Sequence, residues 1–332
     1  MKAAYITQVG SPSTIQYGEI DDPEVGPMQV LIKTNAVAVN PIDTYIRSGT
    51  VKLQLPSPYV IGCDIAGTVA AVGAEVTQFK AGDRVWGSNQ GLSGRQGTFS
   101  ELAAVDQCWL YPTPANVADE DAAAVALTGI TAHLGLHLHG NLQAGEIVFV
   151  NGGTGGVGSA VVQLAIAAGA TVITTVGSAE KVATATDLGA EHVLNYRDVD
   201  VTEALQELTA RIGRINLWFE TLRNPNPDAT LPLLAKRGRY VLMAGRDARP
   251  EFPVGAFYVN DLRAIGFAMF NASAEEQQQS AAEINQLLAA QTLKPLIGAR
   301  YSLSEAAKAH QLQEDNTLNG AGTLSGKIVV TV

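Results

Sequence analysis

Apolar residues change their rhythm along the chain near residue 120. Before it, short runs rich in Val, Ile and Ala are broken by Gly, Pro and Asp: KAAYIT, QVLIKTNAVAVN, DIAGTVAAVG, DRVWG and TFSELAAVD. Short apolar runs bounded by turn residues predict strands, and their number predicts a partly open, β-barrel-like domain. From about 121 an alanine-rich stretch, DEDAAAVALTGITAHLGLHLH, predicts helix. Apolar runs then recur with helical segments between them, at 147–150, 171–176, 192–196, 215–220, 239–244 and 264–268. That count is the one a complete doubly wound parallel sheet requires. Ser273 and Glu276 stand at capping-box spacing and predict a helix running to about Ala290. The chain ends in KIVVTV, a strand with no following helix to place it in the parallel sheet, so it is expected back in the first domain. The expected division is residues 1–122 with 271–332, and residues 123–270.

The stretch IVFVNGGTGGVG, residues 147–158, carries the most chemistry. An apolar β run leads into Gly153, Thr154, Gly155, Gly156, Val157 and Gly158, with glycines in G-x-G-x-x-G spacing, and an alanine-rich helix follows. The glycines permit a tight turn and let backbone N–H groups approach a pyrophosphate. The helix start adds unpaired donors and a partial positive charge. At the end of the second strand of such a unit, Asp or Glu usually holds the ribose 2′-OH of NAD. Here that place reads Gly177 and Ser178, followed by Lys181, with Tyr196 and Arg197 after the third apolar run. No carboxylate repels a 2′-phosphate and two cations are near enough to attract one, so NADPH is expected over NADH.

Composition narrows the classes. The chain has 332 residues, too many for most single cores, and 46% are hydrophobic against 16% charged, as in a packed globular protein. A net charge of −10 argues against a nucleic-acid binder held by phosphate contacts. No apolar run is long enough to span a membrane, and the N-terminal residues lack the hydrophobic stretch of a signal peptide. With only Cys63 and Cys108, no disulfide framework is indicated, and a cytoplasmic location is expected.

Several phrases, NPIDTYIRSG (40–49), VGAEVTQFKAGDRVWG (72–87), TGITAH (128–133), GGTGGVGSAVVQLA (152–165) and LNYRD (194–198), resemble the zinc-free quinone oxidoreductase branch, zeta-crystallin-like, of the medium-chain dehydrogenase/reductase superfamily. The resemblance runs over the whole chain in consistent order. It implies an α/β protein with a GroES-like β-rich catalytic domain and a Rossmann nucleotide-binding domain. Zinc-dependent relatives use a Gly-His-Glu motif, which here reads Gly62-Cys63-Asp64, and their first ligand segment here reads Asn40-Pro41-Ile42-Asp43. A catalytic zinc needs three protein ligands and an open position, so no metal is expected. His133 and His137 are spaced i, i+4 on one helix face, but no Glu lies between them, and with His139 they read as a surface or interdomain helix.

Without a Lewis acid, the tractable acceptors are already electrophilic: quinones or α,β-unsaturated carbonyls. The resemblance implies hydride transfer in an interdomain cleft lined by Asn40, Asp43, Tyr45 and Arg47, with Asn40 and Tyr45 beside the nicotinamide. Tyr45 is the expected hydrogen-bond donor to the reduced oxygen, while Arg47 is equally a candidate ion-pair partner. It also implies Thr131, Asn224, Met243, Ala244, Gly245, Ala268, Met269 and Phe270 near the cofactor. Relatives often carry an aromatic after the RSG turn, where this chain has Val51, and the loop EDNTLNGAGTLSGK reads as longer than usual. Reduction of enones or enoyl thioesters is the alternative reaction, and a non-catalytic NADPH-binding protein the alternative class. The apolar sixth strand is expected to lie at a sheet edge and to pair two copies into a homodimer.

Overall fold

The strand Ile147–Asn151 has parallel neighbours on both sides, Thr171–Val176 on one and Ile215–Glu220 on the other. The computed structural model describes residues 1–332 and divides into two compact units. One comprises Met1–Thr128, Ser273–Gln291 and Pro295–Val332; the other comprises Gly129–Ala272 with Thr292–Lys294.

In the second unit six strands form one parallel sheet, ordered His192–Asn195, Thr171–Val176, Ile147–Asn151, Ile215–Glu220, Leu234–Leu242, Arg263–Gly266. Numbered along the chain this is 3-2-1-4-5-6, the doubly wound order, with its switch point beside the first strand. Both faces of such a sheet are covered, so its central strands, Ile147–Asn151, Thr171–Val176 and Ile215–Glu220, are almost wholly buried rather than alternating. Phe149, Ile173, Ile215, Trp218 and Tyr240 are buried together against Leu205, Leu231 and Leu262. Fully burying each such aliphatic side chain is worth about 1.5–3 kcal/mol.

The fifth strand departs from its expected span of 239–244. It begins at Leu234, which pairs with Ile215, and passes through a register shift before Arg239 takes Leu217 as partner. Arg237 sits there at φ 63°. The polar Lys-Arg-Gly interruption hides this start, because the ladder breaks there and leaves Lys236 and Arg237 facing solvent before pairing resumes at Arg239. The sixth strand, Arg263–Gly266, pairs only with Leu234–Leu242 and closes that edge of the sheet.

In the first unit the eleven-residue strand Gln29–Val39 is the spine. Ile65–Val72, Leu102–Asp106 and the terminal strand Lys327–Thr331 all pair with it antiparallel. The terminal run therefore does return to this unit, with Ile328 opposite Val39 and Val330 opposite Val37. One end of the spine buries Val30 and Ile32 with Ile65, Val85 and Val105. The other end buries Val37 and Val39 with Ile6, Ile46, Phe99 and Ile328. The helix Ala274–Ala289 opens at Ser273, which accepts from Glu276 N while Glu276 Oε2 accepts from Ser273 N. It is fixed to the rest of this unit by Trp86 Nε1 donating to Asn285 Oδ1 at 2.9 Å and Asn89 Nδ2 donating to Gln277 Oε1 at 2.6 Å.

Candidate active site

The glycine loop follows the central strand at the switch point of the parallel sheet. Gly152 turns the chain at φ 86°, Gly155 N donates to Gly152 O at 3.1 Å, and the helix Gly156–Ala167 begins directly after. Two of its glycines are enforced by close approach. A Cβ on Gly153 would lie 2.0 Å from Thr174 Oγ1, and one on Gly158 would lie 2.1 Å from Gly152 O. Neither distance is sterically accessible, so the loop hugs the neighbouring strand and its N–H groups stay at the sheet's carboxyl end. Gly153 N is spent on Thr175 O at 3.0 Å, and Gly152 N on Thr175 Oγ1. Gly155 is exposed, Gly156 and Val157 are half-buried, and Thr154 is buried.

The next strand end supplies the cations. Ser178 Oγ caps the helix Ala179–Asp187 by accepting from Lys181 N at 3.3 Å. A Cβ on Gly177 would lie 2.2 Å from Tyr196 Oη, so a side chain there would require Tyr196 to move. That contact brings the third strand's exposed Tyr196 over the second strand's end. Burial lowers the Lys181 pKa, and the nearby Arg197 guanidinium lowers it further. Lys181 lies in the first turn of this helix beside Glu180, and Arg197 approaches it from the loop after the third strand. The remaining expected cofactor residues of this unit also follow strand ends. Asn224 is exposed after the fourth strand, and Met243, Ala244 and Gly245 are half-buried after the fifth. Ala268, Met269 and Phe270 come after the sixth, with Met269 buried. Gly245, at φ 89°, packs on the backbone carbonyl of Arg223, so the fourth and fifth loops meet. Thr131 is buried on the helix Asp119–His133. The His133 and His137 rings lie 4.5 Å apart, where that helix passes into a π-helical turn, Leu134–His139.

In the first unit the segment Asn40–Gly49 forms a short helix, Pro41–Ser48. Pro41 at its first position and left-handed Gly49 at its end, φ 79°, define both boundaries. Asp43 Oδ2 accepts from Asn40 N at 2.7 Å, closing the first turn. The Asn40 side chain points inward. Its Nδ2 donates to Asp64 Oδ2 at 2.7 Å and its Oδ1 accepts from Lys327 Nζ. Lys327 Nζ also donates to Val39 O at 2.7 Å and lies 3.9 Å from Asp64 Oδ2. Ser88 Oγ donates to the other Asp64 oxygen at 2.7 Å. Asn40, Asp43, Cys63, Asp64, Ser88 and Lys327 are all buried. Desolvation pushes the Asp43 carboxyl up to about 7, partly offset by the Cys63 thiol beside it. The same burial raises Asp64, with Lys327 as its main opposing influence.

Arg47 is fully buried on this helix. Its Nη2 lies 2.6 Å from Glu314 Oε1, and its Nη1 donates to Gly10 O. Of the two roles expected for Arg47, the ion pair is the one these contacts form. The Asn40 amide is bonded on both sides, to Asp64 and to Lys327. Asp43 is buried, with Oδ2 capping the first turn of the same helix. Tyr45 stays half-exposed between buried Thr44 and Ile46. The long C-terminal loop folds onto its own helix, with Asn316 Oδ1 accepting from Leu324 N at 2.8 Å. Lys327 and Ser88 were not singled out from sequence. The only available signal was a lysine opening an otherwise apolar terminal strand.

A glycine loop at the switch point of a parallel sheet, in a chain that also builds an antiparallel β-barrel-like unit, defines the dehydrogenase/reductase class of oxidoreductases. Residues 26–115 match the family described as the alcohol dehydrogenase GroES-like domain, and residues 156–286 the family described as zinc-binding dehydrogenase. A human quinone oxidoreductase is 33% identical over 331 residues, which cover 99% of this chain and 97% of that protein. A mycobacterial quinone oxidoreductase of known structure superposes with a TM-score of 0.86 at 31% identity, covering 100% of both chains. The Escherichia coli quinone oxidoreductase solved with NADPH gives a TM-score of 0.86 at 26% identity, again over 100% of both. The chain belongs to the medium-chain dehydrogenase/reductase superfamily, in its quinone oxidoreductase branch.

The zinc in the second family's description can be tested against the residues here. At Cys63 and Asp64 the donors do not suit it. Burial, and then Asp43, raise the Cys63 thiol, which disfavours the thiolate that zinc takes. Asp64 already receives Asn40 and Ser88, and an ammonium lies among the same oxygens.

Proposed function

We propose that the protein reduces quinones with NADPH, by hydride transfer and without a metal. The observation that carries this reading is the second strand's end, where Gly177 leaves room for Tyr196 and Lys181 lies near Arg197, with no carboxylate in the place that would exclude a 2′-phosphate. In this reading NADPH, when bound, supplies the hydride to an electrophilic acceptor. The helix start at Gly156 and the N–H groups around Gly155 take the pyrophosphate. Ser178, Lys181, Tyr196 and Arg197 take the 2′-phosphate. Thr131, Asn224, Met243–Gly245 and Ala268–Phe270 hold the rest of the dinucleotide. Tyr45 donates a hydrogen bond to the oxygen that gains charge. Asn40, Asp43 and Arg47 act behind it by holding its helix. The protein works as a homodimer in the cytoplasm, on a small-molecule acceptor. No helix is long and apolar enough to cross a membrane.

Consumption of NADPH by the purified protein, followed with a simple quinone beside an α,β-unsaturated ketone, tests this. Turnover with the quinone is expected. Turnover with the enone alone would move the reaction to C=C reduction, and turnover with neither would leave an NADPH-binding protein.

A further inference from the structure

Two carboxylates, a thiol and an amide are buried together at the start of the Pro41–Ser48 helix, and the cation acting on both carboxylates is Lys327. Its ammonium comes from the last strand of the chain. It has three protons to place. One goes to Val39 O, one to Asn40 Oδ1, and the charge faces Asp64. Val39 ends the long spine strand and Asn40 begins the helix, so the ammonium grips both sides of that corner. The arrangement also fixes which way the Asn40 amide points. Its oxygen meets an ammonium and its nitrogen a carboxylate, and the reverse orientation would set like against like on both sides.

We infer that Lys327 is the resident cation of this cluster and a positioning residue for the reaction, its ammonium locking Asn40 and the strand-to-helix corner so that Tyr45 is held in place. This rests on the function proposed above for Tyr45. The physical case is that neither partner is free to rearrange. Lys327 is 5% exposed and Asp64 and Asn40 are 0% exposed, so water does not replace a lost bond. A buried ion pair is poor evidence for added stability but a good device for fixing one arrangement. The corner it fixes is five residues from Tyr45 on a helix only eight residues long. A displacement of about 1 Å at a reacting group can cost about 10² in rate.

The test separates positioning from folding. Lys327→Met leaves Asp64 buried without its cation, and a lower Tm is expected. The double variant Lys327→Met/Asp64→Asn removes both charges, and its Tm is expected to return close to wild type. The lock stays absent, so kcat should remain down by about tenfold or more, with KM for NADPH little changed. Amide exchange in residues 38–45 should be faster than in wild type at that same Tm. Asn40→Ala is a milder second variant that keeps the ion pair and removes the gripped amide, and it should lose kcat similarly. Wild-type kcat together with wild-type exchange in either folded variant would overturn the inference. Exchange needs no turnover, so an inactive wild-type protein would refute the proposed function while the lock is still decided by residues 38–45.

Discussion

Arg47 and Glu314 form an ion pair between the helix Pro41–Ser48 and the helix Ala306–Thr317, with Nη2 2.6 Å from Oε1 and the arginine fully buried. His310 lies on the second of these helices, fully buried, edge-on to Phe99 at 5.8 Å, and neither ring nitrogen has a hydrogen-bond partner. Burial, and then the neighbouring Arg47 charge, lower its pKa from 6.5 to about 3.

The consequence for stability has a definite sign. The unfolded chain takes up a proton at His310 near pH 6.5 and the folded chain only near 3. The contribution is therefore present in full above 6.5 and lost as pH falls, by about 1.4 kcal/mol per pH unit across that window. His310→Leu abolishes it. Urea unfolding of both proteins at several pH values between 7 and about 4 should show the variant gaining on wild type by about that slope. Parallel stability curves for the two proteins would contradict the assignment.

Cofactor choice should depend on Lys181. Charge-assisted bonds to a phosphate are worth about 1.5–3 kcal/mol, so Lys181→Ala should weaken NADPH by about tenfold or more and leave NADH little changed. Titration of both cofactors by fluorescence decides it. Equal losses would mean that the lysine does not read the 2′-phosphate.

Tyr45→Phe separates donation from shape. Loss of one oxyanion donor typically costs about 10²–10³ in turnover. If the hydroxyl bonds the acceptor only as charge develops, kcat and kcat/KM fall together. An enone, being less electrophilic, should lose more than a quinone. Unchanged rates with both acceptors would leave the ring, and not the hydroxyl, as what matters.

The strand Arg263–Gly266 ends the parallel sheet with an unpaired edge, and the segment before it exposes Phe252, Val254, Tyr258 and Val259. An uncovered edge beside apolar surface favours pairing with a second copy. Light scattering at micromolar protein should give twice the chain mass of 34.8 kDa. A monomer mass would rule the dimer out.

The nucleotide unit was legible because its signals are local. Glycine spacing between an apolar run and an alanine-rich helix dictates a strand, a turn and a helix wherever it occurs, and the helix opening at Ser273 needed only two residues three apart. The missing carboxylate after the second strand was likewise readable at a single position. What local pattern hid was the early start of the Leu234–Leu242 strand, where charged residues face solvent across a register shift.

The polar cluster was decided by the tertiary structure alone. The sequence placed Asn40, Asp43, Tyr45 and Arg47 in one motif, whose resemblance implies one cleft lining. Packing split them, turning Arg47 toward Glu314 and Asn40 toward Asp64 while leaving Tyr45 half-exposed. Asn40 and Lys327 are 287 residues apart, and they meet because the terminal strand pairs antiparallel with the spine and sets Ile328 opposite Val39. Such a contact depends on which strands pair and in what register, and that is fixed by burial on both faces of the sheet rather than by any residue pattern near either partner.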